Sequence, residues 1–161
     1  MTRGPADLVL ALGNDLLGDD AAGPLAARTL ASRYRDRVAI VESGEAGLAL
    51  LELIEGRRRV LILDSIRSGA FPPGTVREMA PESFRGVLAP SPHYAGLPEV
   101  LALGRRLGSE MPGELRVLSI EVEDPFTIRE ALSPAVASAM PRFVEAAAGI
   151  LDDWLAASAG R

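Results

Sequence analysis

Leu8-Val9-Leu10-Ala11-Leu12 is an unbroken aliphatic run that stops at Gly13-Asn14. A strand with one wet face alternates apolar and polar residues, so a run without alternation belongs to a parallel strand covered by helices on both faces. Runs of the same kind return at Val38-Ala39-Ile40-Val41 and Val60-Leu61-Ile62-Leu63, with helical patterns between them. Asp20 to about Arg35 reads as a helix, with two acids at its start, where the macrodipole favours them, and Pro24 tolerable in the first turn. Gly47, Leu50, Leu51 and Ile54 recur at helical spacing before Gly56, which predicts a second helix over 46–55. The strand–helix alternation predicts an α/β fold: a three-layer α/β/α sandwich around a mostly parallel, twisted sheet of about five strands, in one domain over 1–161.

The second half continues the pattern with more punctuation. Pro72-Pro73-Gly74 turns into Thr75-Val76-Arg77-Glu78-Met79, a short mixed segment suited to a sheet edge. From Ala80 to Tyr94 the chain is rich in Pro, Ser and Gly and reads as a long loop that carries Ser91-Pro92-His93. A helical face follows at Leu97, Val100, Leu101, Gly104 and Leu107, then a strand from Leu115 to Val122. The last helix is expected to start with Ser133 as N-cap and Pro134 at the first helical position, with a kink at Pro141.

Composition excludes more chemistry than it suggests. The 161 residues are 48% hydrophobic but only 4% aromatic, so the core is aliphatic. With no cysteine there is no disulfide, thiolate metal site or Cys nucleophile, and all 17 basic residues are arginine, which removes the P-loop and Schiff-base lysines. A net charge of −5 argues against nucleic acid as a partner, and Arg57-Arg58-Arg59, the one basic cluster, reads as a solvated helix-to-strand turn. No leader pattern or long apolar stretch is seen, so a cytoplasmic monomer with no membrane association is expected. The first turn lacks the glycines of a dinucleotide fingerprint, and no G-x-S-x-G elbow occurs.

What remains is a set of oxygen and nitrogen donors. In a parallel sheet the carboxyl ends of the strands share one edge, which puts the Asp19-Asp20 loop beside Asp64 and within reach of His93. Two carboxylates and one imidazole suit zinc, nickel or another divalent first-row ion with positions left open. Each residue also has a plainer reading: Asp19 and Asp20 as helix-start acids, His93 as an exposed loop residue, Asp64 as a solvated or paired acid.

In order and spacing, Gly13-Asn14-Asp15-Leu16-Leu17-Gly18-Asp19-Asp20, Leu63-Asp64, Ser91-Pro92-His93-Tyr94-Ala95-Gly96-Leu97 and Leu132-Ser133-Pro134 resemble the hydrogenase maturation endopeptidase family. The resemblance implies a protease that removes a C-terminal extension from the large-subunit precursor of a nickel–iron hydrogenase once nickel is inserted. It implies that Asp20, Asp64 and His93 form the catalytic and metal-binding site, recognising nickel supplied by the substrate, with zinc or cadmium as possible occupants. Gly13, Asn14 and Asp19 belong to the motif loop. The chain departs from the family at Glu42-Ser43-Gly44-Glu45-Ala46-Gly47, where an Asp-Gly-Gly-Thr-like segment is usual. Glu42, Ser43, Gly44 and Glu45 are expected to line the substrate cleft. That departure keeps two alternatives in view, a non-catalytic assembly chaperone on the same fold and a divergent metal-dependent hydrolase.

Overall fold

The computed structural model describes residues 6–84 and 97–160. His93, with the rest of 85–96, lies outside the described residues. In chain order the elements are β1 (Asp7–Leu12), α1 (Ala22–Tyr34), β2 (Ala39–Ser43), α2 (Ala49–Ile54), β3 (Arg59–Ile66), β4 (Val76–Met79), α3 (Leu97–Arg106), β5 (Glu114–Glu121) and α4 (Pro134–Ala159). Short 3-10 turns occupy Gly18–Ala21 and Pro81–Phe84.

The five strands form one sheet in the order β2-β1-β3-β5-β4. The pairs β1·β2, β1·β3 and β3·β5 are parallel, and β4 joins β5 antiparallel at the edge. Alternation along the strands sorts the core into two layers. Val9, Ala11, Leu61 and Leu63 pack with Ala26, Leu30, Phe143 and Leu151, from α1 and α4. Leu8, Leu10, Val60 and Ile62 pack with Leu50, Ile54, Leu97 and Leu101, from α2 and α3. Every residue of β1 and β3 is buried, which is why these strands read as solid aliphatic runs. This is the expected mostly parallel, five-stranded α/β sheet.

Three local readings change. The strand over Val60 to Leu63 continues through Asp64 and Ser65 to Ile66, so Asp64 lies inside the sheet and is fully buried. The helix expected from Asp20 begins at Ala22; Asp19 and Asp20 sit in the preceding 3-10 turn. The arginine run is not simply solvated: Arg59 is part of β3 and only 9% exposed. Its Nε and Nη2 donate to Asp7 at 3.0 and 2.5 Å, and Arg58 adds donors at 3.1 and 2.8 Å. Arg59 also stacks on Trp154, its guanidinium carbon 5.0 Å from the ring centre. Burial alone would push the Asp7 carboxyl up; hydrogen bonds from Arg59 and Arg58 outweigh it and hold the group below the usual carboxylate range.

One close approach sets the geometry of the sheet's carboxyl edge. A Cβ on Gly23, in the first turn of α1, would lie 2.7 Å from the carbonyl oxygens of both Leu12 and Leu63. Only a residue without a side chain lets α1 rest directly on the end of β1 and on β3 at Leu63. The turn that carries Asp19 and Asp20 is thereby pressed against the strand that carries Asp64.

Candidate active site at the sheet switch point

From β1 the chain first moves outward to β2 and later returns on the other side to β3, so the strand order reverses between β1 and β3. In open α/β sheets the crevice outside the carboxyl ends at such a reversal is where ligands bind. Here that crevice is crossed by the segment from Gly13 to Ala21. Asn14 starts it with an Asx turn, its Oδ1 accepting from the Leu16 N–H at 2.9 Å. Gly13 has φ +150, and a Cβ there would lie 2.0 Å from the Asp20 carbonyl oxygen, so the loop can fold back only over a glycine. On its outer side the segment bridges Arg129: the Gly18 N–H donates to the Arg129 carbonyl and the Arg129 N–H to the Leu16 carbonyl, both at 3.0 Å.

The two adjacent acids face different partners. Both Asp19 oxygens are taken by Ser133, whose N–H donates at 2.6 Å and whose hydroxyl donates at 2.8 Å. Ser133 has the extended backbone of an N-cap, yet its hydroxyl serves Asp19 instead of the helix. Asp19 is therefore a buried tie between the motif loop and α4. Asp20 Oδ1 instead accepts the hydroxyl of Ser65 at 2.9 Å, while the Ser65 N–H donates to Asp64 Oδ1 at 2.7 Å. One buried serine thus links the two predicted acids. Alternation along β3 places Ser65 with Leu61 and Leu63 toward α1, and Asp64 with Val60 and Ile62 toward α2 and α3.

Asp20 and Asp64 share Ser65 as a hydrogen-bond partner, Asp20 through its hydroxyl and Asp64 through its N–H, while the Asp64 side chain belongs to the other face of the sheet; the predicted third donor, His93, lies outside the described residues. Among the described residues no group of three His, Cys, Asp or Glu side chains is arranged to hold a metal ion. Two carboxylates alone are an incomplete set for a borderline divalent ion.

Beside Asp20 opens a cleft of about 500 Å³, walled by Gly13, Asn14, Asp15 and Leu17 on one side and Glu42, Ser43 and Gly44 on the other. Three of the four predicted substrate-loop residues therefore line it. Glu45 is not among the lining residues; its N–H donates to the Ser43 Oγ at 3.0 Å. Glu42 is bound bidentately by Arg28, a residue the sequence reading passed over because it sits on the polar face of α1. A second cavity of about 470 Å³ lies across the motif loop, lined by Asp19, Arg67, Arg129 and Ser133 among others. A third, of about 490 Å³, sits at the amino end of β5 near Arg105 and Met111 and contains none of the candidate acids. Ser65 was also missed. Its one sequence signal was a small hydroxyl residue following a buried acid inside a strand, where a polar pair needs mutual satisfaction.

The family model for hydrogenase maturation proteases matches residues 24–150. The chain belongs to that family. The matched stretch starts just after Asp20 and includes Asp64 and His93. The chain is 36% identical over 135 residues to the hydrogenase 2 maturation protease of Escherichia coli, covering 80% of this chain and 76% of that one. Over 155 residues it is 28% identical to the hydrogenase expression/formation protein HupD of Rhizobium leguminosarum, covering 93% and 76%. Its fold matches the structure of the hydrogenase maturating endopeptidase HybD of Escherichia coli with a TM-score of 0.77 at 32% identity, covering 91% of each chain. It also matches the HybD hydrogenase maturation protease of Thermococcus kodakarensis with a TM-score of 0.66 at 29% identity, covering 89% of this chain and 97% of that one. The protein is thus a peptidase by family. No helix among the described residues is long and apolar enough to cross a membrane.

Proposed function

We propose that this protein removes a C-terminal extension from the large-subunit precursor of a nickel–iron hydrogenase, and that Asp20, Asp64 and His93 act together on the nickel already seated in that precursor. The observation that supports the reading is the Ser65 link between the two acids, Asp20 in the turn that crosses the switch-point crevice and Asp64 in β3, in a chain belonging to the maturation protease family. The nickel is part of the substrate. The chain has no cysteine, so soft thiolate donors come from the precursor, and the protease offers carboxylates and an imidazole to positions left open. A precursor without nickel lacks the group these side chains recognise, which makes metal insertion a condition for cutting.

Peptide hydrolysis further requires a base within hydrogen-bond reach of the attacking water. Asp20 is the candidate acid that lines the cleft, and at 7% exposure it retains contact with solvent. Asp64, fully buried and oriented by the Ser65 N–H, is suited to holding and orienting.

The test is cleavage of a nickel-loaded large-subunit precursor from the same organism, read by mass spectrometry. Loss of a short C-terminal peptide is expected with wild type, and none with Asp20→Asn, Asp64→Asn or His93→Ala. The amide oxygen introduced by Asp64→Asn would still accept the Ser65 N–H, so the loss arises without unfolding. Nickel-free precursor should remain intact. A nickel-loaded precursor that binds without being shortened would favour the chaperone alternative, and shortening by the Asp64→Asn variant at the wild-type rate would remove Asp64 from the site.

A further inference from the structure

The two walls of the cleft come from distant parts of the chain, the turn after β1 and the end of β2, and one side chain spans them. Arg28, on α1, donates from Nε to Glu42 Oε1 at 2.8 Å and from Nη2 to Glu42 Oε2 at 2.6 Å. The same Nη2 donates to Asp15 Oδ2 at 2.6 Å. A forked grip on one carboxylate fixes the plane of the guanidinium, and the third bond then fixes where the other carboxylate must sit. Asp15 and Glu42 both line the cleft beside Asp20, so the spacing of its mouth is set by this bridge.

The bridge is poorly placed to stabilise the fold. The side chains of Arg28, Asp15 and Glu42 are 46%, 50% and 37% exposed, and ion pairs that open to water contribute little. Yet its geometry is that of a well-ordered pair, and it ties the Asp15 turn to Glu42, a residue of β2 whose backbone is held level with Ala11 in the sheet; the backbone bond at the base of that turn runs from the Gly13 N–H to the Ser43 carbonyl at 3.2 Å. Hydrogen bonds that Arg28 donates to Glu42 and Asp15 also hold it firmly charged, well above the ordinary guanidinium value. Glu42, the first residue of the segment that departs from the family pattern, therefore has both carboxylate oxygens engaged by Arg28.

We propose that Arg28 is a positioning residue for the substrate peptide: by tying Asp15 to Glu42 it presets the width of the cleft into which the precursor's C-terminal segment is laid. The inference rests on the protease reading above, and it assigns to this chain a specificity element outside the acids that meet the metal. A preset slot spares the binding step the cost of ordering its own walls, so the bridge acts on substrate binding more than on the chemical step.

Binding and cutting of the nickel-loaded precursor are measured for wild type, Arg28→Ala and Arg28→Lys at about 50 and 500 mM salt, between which the Debye length falls severalfold. Binding is read by rapid mixing before turnover, and cutting by steady-state kinetics. For Arg28→Ala, Kd and KM should rise about three- to fivefold while kcat changes less than about twofold. High salt should bring wild type toward the Arg28→Ala values and leave that variant nearly unmoved, and Arg28→Lys, which cannot make the fork, should fall between them. Equal Kd and KM in wild type and Arg28→Ala, or a loss confined to kcat, overturns the proposal. A wild type that binds without cutting overturns the protease reading while Kd still judges Arg28, and one that neither binds nor cuts overturns both.

Discussion

Replacing Gly23 with alanine adds one methyl group at the point where α1 meets the sheet. That methyl would stand 2.7 Å from two backbone oxygens, those of Leu12 and Leu63. Ordinary carbon–oxygen contacts begin at about 3.3 Å, so α1 must withdraw by about 0.6 Å from both strands. Neither oxygen can turn aside, because each belongs to a buried parallel strand. Overpacking of this kind costs about 1–3 kcal/mol, against at most about 1 kcal/mol gained from the better helix propensity of alanine, and less in a first turn. The net expectation is a loss of about 1–2 kcal/mol in urea unfolding, or a Tm lower by about 2–8 °C. The withdrawn segment carries Asp20, so cleavage of the precursor should fall by up to about 10²-fold, far more than stability alone accounts for. Gly104→Ala is the control. Its methyl would meet the Met111 Sδ at 2.5 Å and the Leu51 Cδ1 at 2.8 Å, ends of flexible side chains that can rotate away. It should cost under about 1 kcal/mol and leave the cleavage rate within about twofold. A Gly23→Ala protein as stable as wild type, or no worse than Gly104→Ala, would refute the reasoning.

Three further outcomes follow from the buried acids. Asp7→Ala strands Arg59 in a nearly closed site and should cost about 3–5 kcal/mol, measured by urea titration at neutral pH. Because the Asp7 carboxyl lies below its ordinary value in the folded protein, its stabilisation is complete above the unfolded value near pH 4 and is lost as pH falls through the folded one. Asp7→Asn should therefore show a shallower acid loss of stability than wild type, and an identical slope would contradict the assignment. Asp19→Ala removes two charge-assisted acceptors from Ser133 and should cost about 1.5–3 kcal/mol, with faster amide exchange in the Leu16–Gly18 segment; unchanged exchange there would show that the loop is held by other contacts.

The architecture was legible because burial on both faces of a parallel strand leaves its mark on every residue of that strand, as in Leu8 to Leu12. The rim location of Asp20 and its closeness to Asp64 were legible for a related reason: parallel strands send all their carboxyl ends to one edge. The end of β3 was misplaced by three residues because an acid inside a strand looks like an acid after one. What distinguishes the two is a partner supplied by another element. The arginine run was misread on the same ground. A charge run in isolation reads as solvated, and only the pairing of β1 with β3 sets Asp7 level with Arg59.

From composition and pattern alone came the α/β class, the aliphatic core, the exclusion of thiolate and lysine chemistry, and Asp20 at the carboxyl edge of the sheet. These are properties of single residues or of short-range periodicity, and the chain carries them wherever it folds. Tertiary structure decided that Ser65 joins Asp20 to Asp64, that Asp19 belongs to α4 through Ser133, and that Arg28 spans the cleft. Each of these is a hydrogen bond of about 3 Å between residues far apart in the chain, and such a bond exists only once register and helix packing have been chosen.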